Sequence, residues 1–275
     1  VTEEADSRRH YVQSLARGLT VLGCFDADHQ QRTLSSVAAA TGLTRASARR
    51  FLLTLVDLGY VARDGDQFSL RPAVLNIGRA YLSMLTLPEL AEPHMRALST
   101  EIGEAVSLCI LDEGDAVVVA QSRPGRSGLV STSIGSRLHA NSSAAGRCLL
   151  AGLSEDDLIG WLRNAEIPKL TKHTNVNKSE ILDAIRAVRR AGYSVVDEEF
   201  RMGISAIAMP IYQASDTPTA AITLSARSRR VSAEALVQKM LPKLQLTAHA
   251  IESDLARRSY ERQHPDPVGN RYQPN

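Results

Sequence analysis

The 275-residue sequence predicts an α+β fold in two parts: a small, mostly helical N-terminal unit closed by a β-hairpin, and a larger unit that interleaves strands with helices. Three observations predict it. Apolar residues recur at steps of three and four from Leu15 to Leu55, the spacing of helices that bury one face. Asp64-Gly65-Asp66 then separates two short runs of strand character, and Asp-Gly supplies the positive φ of a tight hairpin turn. Beyond residue 105, strand-like and helix-like stretches alternate, with no fixed-period repeat that would indicate a solenoid or propeller.

In the first unit, Leu15, Leu19, Leu22 and Phe25 give residues 11–25 one apolar face, and the polar run 26–31 ends that helix. Ser35 or Ser36 can cap a short second helix through Ala40, which Gly42 breaks. Thr44 can cap a longer third helix over 45–58, stopped by Gly59. Residues 60–63 and 67–70 form the hairpin. Pro72 suits the first turn of a further helix, where Val74, Leu75, Ile77, Gly78, Tyr81, Leu82 and Leu85 leave much of the surface apolar, as a helix packed on a partner chain would be. Pro88 is expected to interrupt it before another helix runs to Ile102. In the larger unit, 106–111, 116–121 and 129–134 read as strands, and 142–150, 155–164 and 179–191 as helices. Residues 193–196, 204–212 and 219–226 are strands again, and 232–257 is a long terminal helix.

Composition narrows the class. Hydrophobic residues make up 44% and charged residues 23%, the balance of a soluble globular protein, and no apolar run approaches a membrane span. The acidic start, Val1-Thr2-Glu3-Glu4-Ala5-Asp6, lacks the order of a signal peptide. Cys24, Cys109 and Cys148 are widely spaced and form no CxxC pair, so a reducing cytoplasm is expected and neither a disulfide framework nor a zinc site.

Leu34 to Leu55 has the organisation of a helix-turn-helix. Ala38 and Ala39 are small enough for a close crossing, Gly42 permits the tight turn, and Leu43 can plug the junction. Ala48, Leu52 and Leu55 share one face of the third helix and belong in the core, while Arg45, Ser47, Arg49, Arg50 and Thr54 lie around the other side. With the hairpin behind it, the unit reads as a winged helix-turn-helix. A major groove admits an α-helix, and residues near its N-terminal end reach base edges. Arg45, Ser47 and Arg49 are therefore expected in the groove and Arg50 on the backbone. Arg63 and Gln67 would reach phosphate or minor groove from the wing, and Thr44 and Thr54 complete the candidate DNA-contacting set. Residues 8–72 hold nine arginines and no lysine against five aspartates and no glutamate, in a chain whose formal net charge is only +2. One such unit neutralises few phosphates, so a homodimer or dimer of dimers on double-stranded DNA is expected. The alternative is a small-molecule sensor or enzyme whose N-terminal unit makes protein contacts only.

Several motifs in order resemble the IclR family of bacterial regulators: Gly18-Leu-Thr-Val-Leu, Val37-Ala-Ala-Ala-Thr-Gly-Leu and Arg50-Phe-Leu-Leu-Thr-Leu-Val-Asp-Leu-Gly-Tyr-Val in the first unit, then Leu75-Asn-Ile-Gly-Arg-Ala-Tyr-Leu, Gly146-Arg-Cys-Leu-Leu-Ala, Gly192-Tyr-Ser-Val-Val-Asp-Glu-Glu and Gly203-Ile-Ser-Ala-Ile-Ala-Met-Pro-Ile. The likeness covers about residues 11–257. Within the family, Leu87-Pro-Glu-Leu-Ala-Glu-Pro-His, Gly135-Ser-Arg-Leu, Thr223-Leu-Ser-Ala and Arg230-Val-Ser-Ala-Glu are similar to the branch that regulates the β-ketoadipate pathway and related aromatic-acid catabolism. Residues 1–9 read as a flexible arm and 258–275, polar with Pro265, Pro267 and Pro274, as an unstructured tail. Between them lie the winged helix-turn-helix over 10–71 and a linker and dimerisation helix over 72–87, and the resemblance implies a GAF-like effector domain over 88–257.

It also implies a pocket for a small carboxylate or aromatic acid lined by Leu138, Ala144, Ala145, Ile204, Ala206, Thr223 and Ser225. Amides opening the helix at 142–150 can hold a carboxylate, and Thr223 and Ser225, two apart on a strand, face the same way. Local hydrogen bonding is the other use of those hydroxyls. Arg126 and Arg137 are candidates to pair a second carboxylate. The segment 123–129 is shorter than the branch pattern, and Asn141 to Ala145 stand where bulkier residues are usual, so the pocket is expected to accept a different shape.

No enzyme reading is favoured. GxGxxG, GxxxxGK[ST] and GxSxG are absent, so no nucleotide cofactor or nucleophile elbow is expected. Asp197-Glu198-Glu199 could bind a metal but has no histidine beside it, and a solvated cluster is the expectation. His139 and Cys148 could pair as base and thiol, against which a structural cysteine is the simpler reading.

Overall fold

The computed structural model describes residues 11–26, 28–84, 86–124, 132–213 and 215–263. It divides into two compact units, Val1–Met84 and Leu85–Asn275.

In the first unit, α1 (Gln13–Gly23) is followed by β1 (Gln31–Thr33), α2 (Leu34–Thr41) and α3 (Arg45–Asp57), then β2 (Val61–Asp64) and β3 (Gln67–Leu70). The Thr33 side chain accepts from the Ser36 amide and so caps α2, one turn earlier than the serines that the sequence suggested. Gly42 takes a left-handed φ of 67° between the helices, and Thr44 caps α3 by accepting from the Ser47 amide at 3.2 Å. Val21, Phe25, Val37, Ala38, Ala48, Leu52, Leu55, Val61 and Phe68 form one core, with Leu43 packed against it. Ala39 is exposed, so Ala38 alone makes the close crossing.

Two expectations are corrected here. The predicted apolar face of α1 goes inside only in part: Leu22 packs against the core and Phe25, just past the helix, is buried, but Leu15 and Leu19 are exposed and Val21 is the buried residue within the helix. Gly18 lies on the inward side, where a Cβ would stand 4.0 Å from the Phe51 ring, and with no side chain of its own it hides that face from an apolar count. The polar run after α1 also does more than end a helix. Gln31–Thr33 adds an antiparallel third strand beside β3, giving the order β1-β3-β2. Arg32 braces it, its Nε donating to the Cys24 carbonyl (2.8 Å) and a terminal nitrogen to the Ser36 hydroxyl (3.1 Å). A 3₁₀ turn at Pro72–Val74 leads into α4 (Leu75–Met84), where Leu75, Ile77 and Tyr81 are exposed.

The second unit runs α5 (Thr86–Ile102), β4 (Ala105–Asp112), β5 (Asp115–Ser122), β6 (Arg137–His139), α6 (Ala144–Ala151), α7 (Glu155–Asn164), α8 (Lys178–Ala191), β7 (Ser194–Asp197), β8 (Ile204–Tyr212) and β9 (Pro218–Arg227). A helical turn at Ala233–Ala235 and a π-helical segment at Leu236–Met240 lead into α9 (Leu241–Gln263), which continues past Arg257 into the stretch expected to be a tail. Pro88 does not interrupt a helix; it sits in the first turn of α5, where a missing N–H costs nothing. The third strand is Arg137–His139 rather than 129–134: residues 132–134 are not strand, and 129–131 lie outside the described residues, as do the 1–9 arm and residues 264–275.

All six strands pair antiparallel in the order β6-β5-β4-β9-β8-β7. Alternation loads both faces with apolar residues, as a two-sided sheet requires. On one face Leu108, Ile207, Ile222 and Leu224 pack with Met95 and Leu98 of α5 and Leu244 and Ile251 of α9. On the other, Cys109, Val118, Ala208 and Ala221 pack with Ala144, Ala145, Cys148 and Leu149 of α6. Sheet flanked by helices is the GAF-like arrangement expected of this part. No helix among the described residues is long and apolar enough to cross a membrane.

Candidate nucleic-acid face and ligand cavity

The core side of α3 carries Ala48, Leu52 and Leu55, and this fixes the rest of the helix by rotation. Arg45, Arg49, Arg50 and Thr54 are exposed, and Ser47 is half-buried. Arg45, Arg49 and Arg50 make no ion pair among the described residues, unlike Arg189 of α8, which pairs with Glu155 of α7 at 2.7 Å, and Arg186, which binds the same carboxylate. A row of unpaired guanidinium groups keeps its charge for an outside anion. Ser47, Arg50 and Thr54 line a groove whose opposite wall is Gln13, Ser14 and Arg17 of α1.

Four of the candidate residues are partly engaged within the unit. Thr44 is the N-cap of α3, and the Thr54 hydroxyl donates to the Arg50 carbonyl at 2.9 Å. On the wing, Arg63 Nε donates to the Gly65 carbonyl (3.0 Å), and its guanidinium lies 5.9 Å from the Phe68 ring centre, which holds the side chain beside the β2–β3 turn. Gln67, half-buried, pairs in the ladder with Asp64 and Thr33.

In the second unit a cavity of about 40 Å³ opens between the sheet and the start of α6. Register explains its floor. Ser107 of β4 lies opposite Thr223 of β9, Ser225 lies opposite Ala206 of β8, and Ala206 lies opposite Val196 of β7, so these side chains share one face. Leu138, Ala144, Ala145, Ile204, Ala206, Thr223 and Ser225 all line this cavity. The Thr223 hydroxyl donates to the Ile207 carbonyl at 3.1 Å, the local use that the sequence left open. At the mouth of α6, Ser143 Oγ accepts from the Gly146 amide (3.2 Å), which leaves the Ala144 and Ala145 amides with no acceptor inside the helix. Gly146 allows this geometry: a Cβ there would lie 2.3 Å from Ala140 Cα, so the helix starts in backbone contact with the loop before it.

One sequence candidate does not line the cavity. Arg137 neighbours Leu138 on β6 and therefore points to the opposite face, where it pairs with Asp112 (2.6 Å) and Asp115 (3.4 Å). Arg126 lies outside the described residues. Other lining residues were missed. Ser107 belongs to the same strand face as Cys109 and accepts from Gln121 Nε2 at 3.0 Å; the same amide donates to Thr132 at 3.1 Å, and Arg123 holds its oxygen at 2.7 Å. Phe200 and Arg201 come from an irregular loop with no periodic signal, and Ser142, Ser143, Val118 and Val196 complete the wall.

The carboxylate run forms no metal-holding cluster among the described residues; Asp197 is exposed and Glu198 partly so, as a solvated cluster would be, yet each carboxylate has a partner. Asp197 accepts from Ser205 at 2.5 Å, Glu198 accepts from Ser228 at 2.5 Å, and Glu199 pairs with Arg147 at 2.8 Å. The Ser228 hydrogen bond, the largest cause, holds the Glu198 carboxyl below the usual carboxylate range. Cys148 is buried and donates to the Ala208 carbonyl at 3.3 Å, and burial pushes its thiol up, so it is structural and no nucleophile.

The IclR helix-turn-helix domain profile matches residues 14–65, and the profile of the bacterial transcriptional regulator IclR C-terminal domain matches residues 79–253. The Pca regulon regulatory protein of Pseudomonas putida is 36% identical over 233 residues, 84% of this chain and 80% of that protein. A transcriptional regulator structure from Rhodococcus sp. RHA1 is 48% identical with a TM-score of 0.76, covering 90% of this chain and 99% of that one. The inducer-binding domain of the PobR transcription factor from Acinetobacter, a double mutant in complex with 3-hydroxybenzoic acid, is 28% identical with a TM-score of 0.57, covering 61% of this chain and 98% of that one.

Proposed function

Since this chain belongs to the IclR family, whose members are DNA-binding transcriptional regulators and not enzymes, we propose that its own signal is a small aromatic acid or related carboxylate. The acid sits between the sheet and α6 and changes how a homo-oligomer holds double-stranded DNA. The observation that carries this reading is the pairing of orphan amides at Ala144 and Ala145 with a hydroxyl-bearing strand face opposite them. A carboxylate is stabilised by such amides and by the helix dipole. Ser225 and Thr223 receive its polar edge, and Leu138, Ile204 and Ala206 pack its ring. The cavity has room for about three waters at the ~10–15 Å³ each needs, so an acid of benzoate size enters as the walls part.

On the DNA side, Arg45, Ser47 and Arg49 meet base edges and Arg50 and Arg63 meet phosphates, while Thr44 and Thr54 set the helix that presents them. Exposed Leu15 and Leu19 on α1, with Leu75, Ile77 and Tyr81 on α4, offer the apolar surface that a second copy would cover. Pairing two recognition helices multiplies the phosphate contacts that a single small unit can make.

The test is a selection of bound duplexes from a random pool, with and without 3-hydroxybenzoate or 4-hydroxybenzoate, joined to a thermal-shift titration. At a ligand concentration 100-fold above Kd the gain is about 2.7 kcal/mol. In a unit of this size that raises the melting temperature by roughly 5–11 °C. Ser225→Ala should reduce the shift. Were no small aromatic acid or carboxylate to move the melting temperature or the bound pool, the effector assignment would be lost.

A further inference from the structure

The cavity has two walls that are far apart in sequence: the loop before α6, with Ser142 and Ser143, and the loop after β7, with Phe200 and Arg201. One buried side chain touches the base of both. Arg147, on the second turn of α6, donates from Nε to the Asn141 carbonyl at 2.8 Å and from a terminal nitrogen to Glu199 at 2.8 Å. The side chains of Arg147 and Glu199 are 7% and 14% exposed, so neither charge is compensated by water. Glu199 is itself held at the other end: its carboxylate accepts from the Asn175 amide (3.1 Å) and its carbonyl from the Thr174 hydroxyl (2.7 Å). Phe200 and Arg201 follow immediately, so wherever Glu199 is held, these two are held.

We propose that Arg147 and Glu199 are positioning residues: their buried salt bridge is the strut that sets the spacing between the helix-mouth wall and the Phe200–Arg201 wall of the cavity. A planar guanidinium with separate donors suits this task, because one rigid group bonds two chain segments at once. Loosening either bond frees both walls together. The consequence for a ligand rests on the effector reading above: a wider or mobile gap changes which acid fits and how tightly.

The test is amide hydrogen exchange, read by peptide mass spectrometry on the full chain without ligand. The reporters are peptides over 139–147, where the Ser142 and Ser143 amides bond the His139 carbonyl, and over 198–204, where Glu198 and Ile204 each donate. Glu199→Ala should raise exchange at least tenfold in both reporters, while peptides over 218–227 stay within twofold of the parent. Glu199→Gln, which keeps an acceptor oxygen for Arg147, should give a smaller rise in the same two places. Arg147→Lys keeps the cation but not the fork; it should loosen both reporters and decides the matter if the alanine variant does not fold. Acceleration confined to 198–204, or equal across the unit as for a general loss of stability, overturns the strut. Because no ligand enters the measurement, a chain that binds no aromatic acid yet shows the coupled rise would count against the effector reading alone.

Discussion

Gly146→Ala should lower the melting temperature of the 85–275 unit by roughly 6–12 °C, which corresponds to about 3 kcal/mol at the upper end of overpacking costs. The reason is what the added methyl would meet: Ala140 Cα at 2.3 Å, the Ala140 carbonyl at 2.6 Å and Ser143 Oγ at 2.6 Å. Two of the three are backbone atoms, which cannot swing aside as a long side chain would. The start of α6 must therefore move from its preceding loop, and the Ser143 cap and the Ala144 and Ala145 amides move with it. Ligand response should be lost together with stability. Gly160 supplies the control, since it lies within α7 and a Cβ there meets nothing within 4 Å. Gly160→Ala should stabilise by about 0.5–1 kcal/mol, because alanine loses less backbone freedom in a helix than glycine. Differential scanning calorimetry of the full chain distinguishes the two signs; a neutral Gly146→Ala would mean that the helix mouth is not in backbone contact.

The second large effect is on sequence recognition. Arg49→Ala should cost about 1–3 kcal/mol of discrimination at one base pair, roughly five- to 150-fold, while leaving affinity for random duplex close to the parent. Arg49 lies on the exposed side of α3, one turn from Arg45, with no ion pair to give up. Arg63→Ala should act differently. Arg63 is held beside the wing turn by Gly65 and Phe68, and on the proposed role as a phosphate contact its loss should weaken all duplexes alike. It should also reduce the slope of log affinity against log salt by about 0.9. Binding curves on the selected site and on random duplex, each at several salt concentrations, separate the two outcomes. If both variants match the parent, α3 presents another side to DNA.

Local chemistry was readable in advance where one residue decides it. Thr44 caps because it precedes a helical run, Gly42 and Gly65 turn because they tolerate positive φ, and Ala48, Leu52 and Leu55 lie inside because they recur on one face. The resemblance placed Leu138, Ile204, Thr223 and Ser225 around one cavity, and register then explained why two of them came with Ser107. What could not be read was anything decided by a partner elsewhere in the chain. Gln31–Thr33 has no strand signature and becomes one only because β3 offers its edge. Leu15 and Leu19 look like core until Gly18 lets the other side of α1 approach Phe51.

By itself, then, the order of residues determined the class, the two units, the helix-turn-helix with its outward arginines and most element boundaries, because these depend on neighbours a few positions away. Tertiary structure alone decided that Arg137 turns from the cavity to Asp112, and that Arg147 finds Glu199 across 52 positions of chain. A side chain's periodicity tells which face it occupies, but which charge waits on the far side depends on how strands pair and stack, and that pairing is settled only when the whole sheet closes around its core.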